Sequence, residues 1–157
     1  MKKTKFWIFT ALISLCILAC VGFAAYNNAG KTEAQEAQVK HIELIRTSQS
    51  WDGVELPDYL QGRPELVAVK YEFPAGKKLG WHHHPVMNYG VLMQGELTII
   101  GQDGKTKVVH AGEPVVEMVN TIHHGENRGT ETAVLYMFYL SQEGMPLAVQ
   151  HPEIPLE

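Results

Sequence analysis

Histidines are the residues of this sequence whose spacing best fits metal chemistry. Residues 81–84 read Trp-His-His-His, and Pro85 follows. On a β-strand, alternate side chains face the same side, so His82 and His84 are expected to point one way and His83 the other. Their Cα atoms would lie roughly 7 Å apart, which lets two imidazoles converge on one ion with bonds of about 2.1 Å. Taken alone, this cluster leaves a metal site and a solvated turn equally open.

A second histidine pair, His123-His124, lies about 40 residues downstream and favours the metal site. A neighbouring strand could place His123 beside His82 and His84 as the third ligand. His124 has the opposite parity, so we expect it at the surface or behind a ligand. The expected ion is a divalent metal, Fe, Mn, Zn or Ni, and the residues leave open which of these it is.

The elements that must position these histidines are predicted to be strands. Stretches rich in β-branched and aromatic residues alternate with turn signals, among them Asp103-Gly104. No stretch after residue 64 has the period of an amphipathic helix. The predicted strands cover residues 66–73, 86–93, 96–100, 105–109, 114–119 and 132–140. Short strands at this spacing are typical of an all-β barrel or sandwich.

Two sequence motifs resemble those of the cupin superfamily, in the form of a small single-domain bacterial cupin. Residues 76–97 resemble its first motif, G-x5-H-x-H-x3,4-E-x6-G, and residues 112–127 resemble its second, G-x5-P-x-G-x2-H-x3-N. The matching residues are Gly76, His82, His84, Gly95, Gly112, His123 and Asn127. Met118 and Asn120 stand where Pro and Gly are usual. The resemblance implies a double-stranded β-helix, or jelly-roll barrel, that holds a metal on His82, His84 and His123.

Asn88 departs from the resemblance, because the glutamate of the first motif falls at this position. Asparagine is neutral and a weaker ligand than carboxylate for such metals. Either the ion has three histidines and open positions filled by water, which is the arrangement of a catalytic site, or the site has lost its metal and is a binding pocket. An ion on three neutral imidazoles would keep its full charge and attract an anionic ligand.

Further residues are predicted to surround the site. The expected pocket or supporting residues are Asn88, Asn127, Trp81, Tyr89 and Met93, although the aromatic residues and methionine are also read as simple barrel packing. Asn127 is expected either to form hydrogen bonds within its turn or to orient a ligand histidine. Glu117 and Glu126 are candidate acids or bases, and the preferred interpretation of both is a solvated glutamate.

The N-terminus predicts export from the cytoplasm. Lys2, Lys3 and Lys5 precede an uncharged run over residues 6–26, which fits a signal peptide or an uncleaved membrane anchor. Residues 17–20, Ile-Leu-Ala-Cys, also resemble a bacterial lipobox. All three interpretations place the body in the periplasm or outside the cell. Cys16 and Cys20 both lie in this run, so the body has neither a disulfide nor a thiolate ligand.

The chain is therefore divided into five predicted parts. They are a signal peptide or membrane anchor (1–26), a flexible linker (27–41), an N-terminal arm pinned by Trp51 and Tyr59 (42–64), the cupin β-barrel (65–150) and a C-terminal tail (151–157). With a net charge of −4 and no basic patch, nucleic-acid binding is not expected. The resemblance implies pairing of two copies, for which the arm is the candidate.

Function is less defined than fold, because one fold carries many chemistries. The first hypothesis is a metal-dependent enzyme on a small anionic or aromatic molecule, of the dioxygenase, isomerase or lyase kind that the resemblance implies. The second is a binding or sensing module without turnover. A third is a structural protein whose histidines only form hydrogen bonds.

Overall fold

A computed structural model describes residues 38–156 of the protein. The predicted anchor and most of the predicted linker lie outside these residues, so both remain predictions. Within residues 38–156, no helix has the length and apolar character needed to cross a bilayer.

The described part of the chain is all β, which confirms the predicted fold class. Its strands are β1 (Pro64–Phe73), β2 (His82–His83), β3 (Met87–Gln94), β4 (Glu96–Gly101), β5 (Thr106–His110), β6 (Pro114–Val116), β7 (His123–Glu126), β8 (Ala133–Gln142) and β9 (Val149–Gln150). They form a four-stranded sheet in the order β1-β8-β3-β6 and a five-stranded sheet in the order β5-β4-β7-β2-β9. All pairings between these strands are antiparallel.

The period of two along the long strands creates the core. In β8, alternate residues from Ala133 to Tyr139 are buried, while Tyr136 and Phe138 are exposed on the opposite face. The inward residues of both sheets meet in one apolar cluster, and burying such side chains contributes roughly 1.5–3 kcal/mol each. The cluster consists of Phe73, Val86, Leu92, Leu97, Ile99, Val109, Val115, Ala133, Leu135, Met137 and Tyr139.

The strands that differ from prediction are short or end early. The predicted strand 114–119 ends as β6 at Val116, and β2, β7 and β9 have only two to four residues. So few residues cannot display a period in the sequence, although tertiary pairing can still fix them as strands. Two of these short strands, β2 and β7, carry His82 and His123.

The N-terminal arm follows an irregular path and is bonded to the barrel at Trp51 and again near its end, where the amide of Gly62 donates to Oε1 of Gln142 over 2.9 Å. The amide of Trp51 donates to the carbonyl of Val116 over 2.9 Å. The indole of Trp51 packs against the apolar core. A turn closed by the hydrogen bond from Gly53 N to Ser50 O positions that ring. The expectation that Tyr59 also pins the arm is wrong, because 71% of its surface is exposed.

Candidate metal centre

Three histidines converge where β2 and β7 pair in the five-stranded sheet. His82 of β2 pairs with His123 of β7, and His84 follows β2 directly. Their ring centroids are 4.6–5.2 Å apart, and one ring nitrogen from each lies within 4.8 Å of the other two. All three side chains are buried, with exposed fractions of 5% or less. The tertiary structure thus brings together the three residues that the sequence selected.

The backbone fixes how each imidazole presents its nitrogens. Nδ1 of His82 is 2.8 Å from the carbonyl oxygen of Gly80, Nδ1 of His84 is 2.7 Å from that of Leu147, and Nδ1 of His123 is 2.8 Å from that of Thr121. A carbonyl can only accept, so each Nδ1 must carry the proton that is donated. In the neutral ring, the lone pair then lies on Nε2 and is available to a metal.

Asn120 supports this geometry at the position where the cupin motif usually has glycine. Its φ is 54°, in the left-handed region that asparagine tolerates better than most residues other than glycine. This conformation directs its amide N–H to the carbonyl oxygen of His84 over 2.8 Å. The departure from the motif therefore preserves the turn that holds His84.

Glu117 is buried beside the histidines, so the expectation of a solvated glutamate is wrong. Its exposed fraction is 7%, and its Oε2 lies 2.8 Å from Nε2 of His84 and 3.7 Å from Nε2 of His123. The amide of Glu117 donates to the carbonyl of Asn88, which continues the β3–β6 pairing by one step beyond the end of β6. In the sequence, Glu117 lies two residues after the apolar Val115. On a strand this spacing puts both side chains on the same face, which was the signal for an inward Glu117.

Burial and the charges within this cluster shift the pKa values of its members in opposite directions. Burial is the main cause that lowers the pKa of His82 to about 4, and the neighbouring histidines lower it further. Burial also lowers the pKa of His123, but the Glu117 carboxylate outweighs this effect and the net pKa is raised. Burial would raise the pKa of Glu117, yet His123 and His84 hold it well below its usual range. The interior is therefore arranged around a buried negative charge.

Asn88 faces the interior as predicted from its parity, but it contacts none of the three histidines through a hydrogen bond. It is 1% exposed and lies opposite Tyr139 in the β3–β8 pairing. Neither its Oδ1 nor its Nδ2 has a hydrogen-bond partner among the described residues. A buried amide without partners is costly, by about 1–3 kcal/mol for each group.

The cavity beside the histidines is small. Its volume is about 20 Å³, enough for roughly one water molecule or ion. Tyr71 and Tyr139 line it, and their hydroxyl oxygens are 3.0 Å apart. Burial is the main cause that raises the pKa of Tyr139, and its bond to Tyr71 raises it further, so this phenol keeps its proton.

The other predicted pocket residues lie away from this cavity. Tyr89 and Met93 are 45% and 58% exposed on the outer face of the four-stranded sheet, as expected for odd positions of a strand whose even positions face inward. Trp81 donates from Nε1 to the carbonyl of Pro155 and contacts the ring of His124 edge-on. Nδ2 of Asn127 donates to the carbonyls of Phe73 and Glu131, and its Oδ1 accepts from the amide of Gly129. Of the two roles expected for Asn127, these bonds match hydrogen bonding at its turn.

Sequence reasoning missed the contribution of the C-terminal segment. Strand β9 pairs with β2, and Leu147 just before it supplies the carbonyl that accepts from His84. A backbone carbonyl leaves no trace in the residue type, so no sequence signal could have revealed it. Glu117, by contrast, was visible as a candidate and was misplaced only in its burial.

The donor set of this centre suits a divalent transition metal. Three imidazole nitrogens with proton-bearing Nδ1 atoms present their Nε2 atoms to one space, and Nε2 of His123 is buried without a hydrogen-bond partner. Imidazole is a common ligand of Fe, Mn, Ni and Zn, and a nearby carboxylate suits the same ions. The residues therefore fit the metal that the sequence predicts.

Comparison with known proteins supports the family. Residues 69–139 match the family model described as the cupin domain. This match supports a cupin superfamily domain in this part of the chain. A search of curated proteins found no match.

The solved structures that resemble this chain share little sequence with it. A cupin domain from Bordetella pertussis is 18% identical, with a TM-score of 0.45, over 62% of this chain and 98% of its own. A cupin-like protein from Thermotoga maritima is 15% identical, with a TM-score of 0.48, over 55% of this chain and 64% of its own. A DMSP lyase from Ruegeria pomeroyi is 16% identical, with a TM-score of 0.48, over 54% of this chain and 42% of its own. At such values the similarity carries no argument about fold or function.

Proposed function

We propose that this cupin domain binds one divalent metal ion through Nε2 of His82, His84 and His123, and that a small molecule binds to that ion. The observation that carries the proposal is the convergence of three buried imidazoles whose Nδ1 atoms are all bonded to carbonyl oxygens. A structural set of histidines would have its Nε2 atoms bonded within the protein, whereas Nε2 of His123 has no such partner.

The size of the cavity restricts the molecule. With about 20 Å³ beside the histidines, there is no room for the drug-sized ligand that occupies roughly 300–1,000 Å³ in a typical pocket. The proposed substrate is therefore a molecule of a few atoms, or a larger one that presents only an anionic group to the ion. An aromatic ring would have to remain outside unless the barrel opens.

Within this site, the protein would contribute positioning and a hydrogen-bond donor. The bound metal would supply a Lewis acid that polarises a substrate oxygen. The hydroxyl of Tyr139 lies in the lining of the cavity and keeps its proton because burial raises its pKa. It can therefore donate a hydrogen bond to a substrate oxygen, while the hydroxyl of Tyr71, 3.0 Å away, donates to Tyr139 and fixes that orientation.

A binding or sensing module without turnover is the second candidate. The small volume of the cavity, about 20 Å³, favours it, because little room remains for a substrate to react beside the ion. Oxygen consumption and substrate loss in the metal-loaded protein, screened over small carboxylates, separate the two candidates. Turnover supports the enzyme, whereas saturable binding with no turnover supports the module.

Metal content tests the proposal itself. The full chain is purified without chelator as wild type, as His84→Ala and as His83→Ala, and each preparation is subjected to elemental analysis. We expect about one ion per chain in wild type and in His83→Ala, because His83 faces away from the cluster, and almost none in His84→Ala. Equal metal content in all three preparations would remove this site.

The location of the body outside the cytoplasm is a further part of the proposal, supported by the N-terminal lysines and the apolar run that follows them. Protease added to intact spheroplasts should digest the body while a cytoplasmic marker protein survives. Protection of the body in intact spheroplasts, with digestion only after lysis, would contradict export.

We also propose that two copies pair through the outer face of the four-stranded sheet. Leu66, Tyr89, Tyr136 and Phe138 are exposed there, with Leu66 81% exposed. Lys70 lies beside Tyr136 on this face and forms an ion pair with Glu72, so its charge is balanced and two copies could meet without net repulsion. Light scattering on the purified protein should give twice the mass of one chain, and Phe138→Lys should give the single mass. A monomeric wild type would contradict the pairing.

A further inference from the structure

Glu117 and Asn88 together suggest that the carboxylate of the metal centre has moved to a neighbouring strand. The first cupin motif places a glutamate at position 88, and this chain has asparagine there. The structure places another carboxylate one strand away, because the amide of Glu117 donates to the carbonyl of Asn88 over 3.2 Å. Both side chains face the barrel interior, and each is less than 9% exposed.

We infer that Glu117, and not the residue at position 88, is the fourth protein ligand of the metal. This inference rests on the proposed function, since it completes the coordination of the same ion. It differs from the arrangement that the motif implies, in which the carboxylate comes from the strand that follows the histidine pair.

The distances around Oε2 of Glu117 match those between ligands of one ion. Two atoms that each lie about 2.1 Å from a metal are about 3.0 Å apart at a right angle and about 3.4 Å apart at a tetrahedral angle. The observed separations are 2.8 Å from Nε2 of His84 and 3.7 Å from Nε2 of His123, on either side of these values. Only small rotations of the side chains are needed to place one ion among the three atoms.

Burial leaves the Glu117 carboxylate in need of a nearby positive charge. A carboxylate that is 7% exposed is strongly destabilised unless a positive charge or several hydrogen bonds compensate it. Among the described residues, the ion-pair contacts of Glu117 are with His84 and His123, and no lysine or arginine reaches it. A metal ion bound to all three would provide the missing positive charge without a proton.

The inference also explains why Asn88 is tolerated. With a carboxylate already present from Glu117, a second one at position 88 would add a like charge a short distance away, which is unfavourable in a buried site. The amide of Asn88 is uncharged and has no partner in the protein.

The test measures Co²⁺ and Zn²⁺ affinity of the full chain by competition with a chromophoric chelator, together with the visible spectrum of the Co²⁺ form. Glu117→Gln keeps the shape of the side chain and removes its charge. Glu126→Gln is the matched control, because Glu126 lies near the second motif but pairs with Lys78 and Arg128 outside the cluster. We expect Glu117→Gln to lose at least tenfold in affinity and to shift the Co²⁺ spectrum, and Glu126→Gln to stay within twofold of wild type.

A swap of the two side chains provides the second measurement. The double variant Asn88→Glu, Glu117→Gln returns the carboxylate to the motif position and should recover much of the lost affinity. If Glu117→Gln does not fold, Glu117→Asp keeps the charge but withdraws it by one methylene, and should weaken binding by a smaller factor.

The outcomes distinguish the two proposals. Wild type that binds metal, with Glu117→Gln or Glu117→Asp equal to it in affinity and Co²⁺ spectrum, overturns the role of Glu117 and leaves the histidine site intact. Wild type that binds neither Co²⁺ nor Zn²⁺ overturns both.

Discussion

His82 and His83 are adjacent in the chain but have different environments. His82 faces the interior, where its Nδ1 is bonded to a carbonyl and one of its ring nitrogens lies within 4.8 Å of a nitrogen of each of two other imidazoles. His83 faces outward and its Nδ1 lies 2.8 Å from Nε2 of His151, whose own Nδ1 is bonded to Glu153. The outer pair satisfies its nitrogens with other side chains, whereas the inner cluster leaves nitrogens that only a cation or a proton can satisfy.

This difference shows that histidine content alone does not define a metal site. What defines the inner site is the supply of backbone carbonyls that fix the Nδ1 protons, together with burial that excludes water as a competing partner. The outer pair lies at the surface, where water can replace either histidine. The two sets of histidines should therefore respond differently to metal, to pH and to substitution.

The largest expected difference is in stabilisation by metal. A metal present at 1,000 times its dissociation constant should add about 4 kcal/mol to the free energy of unfolding, because it binds the folded state alone. Wild type and His151→Ala should both show a higher melting temperature with Zn²⁺, and His123→Ala should show none. A similar metal-induced rise in all three proteins, measured by calorimetry, would mean that the inner cluster is not the binding site.

The next difference concerns the pH dependence of the metal-free protein. The pKa of His82 is about 4 in the folded state and near 6.5 when unfolded, so the unfolded chain binds more protons between these values. Stability from this residue is therefore present above pH 6.5 and is lost as the pH falls towards 4, by about 3 kcal/mol in total.

The comparison of wild type with His82→Gln isolates this contribution, because other titrating groups affect both proteins. Urea denaturation in EDTA should show the stability of wild type falling more steeply between pH 6.5 and 4 than that of the variant. Parallel pH profiles would contradict a neutral, buried His82.

The smallest expected effect is the coupling between His83 and His151. Hydrogen bonds between partly exposed side chains contribute about 0.5–1.5 kcal/mol. A double-mutant cycle with His83→Ala, His151→Ala and the double variant should give a coupling in this range, without change in metal content. A coupling above about 3 kcal/mol, or loss of metal, would erase the distinction between the inner and outer histidines.

Much of the fold and part of the site followed from local patterns. The long strands were predicted within a few residues, since alternation between apolar and polar residues is a property of consecutive positions. The same alternation correctly placed His82 and Asn88 inward and His83 outward. The short strands were missed because two to four residues carry no period, and Tyr59 was misplaced because aromatic character does not reveal which rings find a partner.

By itself, the amino-acid sequence determined the fold class, the cupin motifs and the choice of His82, His84 and His123. Only the tertiary structure decided that Glu117 and not Asn88 brings a carboxylate to these histidines, and that Leu147 from the C-terminal segment orients His84. The physical reason is the range of the interactions. Strand alternation and motif spacing act between neighbours in the chain, whereas the charge of the centre and the tautomers of its histidines depend on which distant strands pair and in which register.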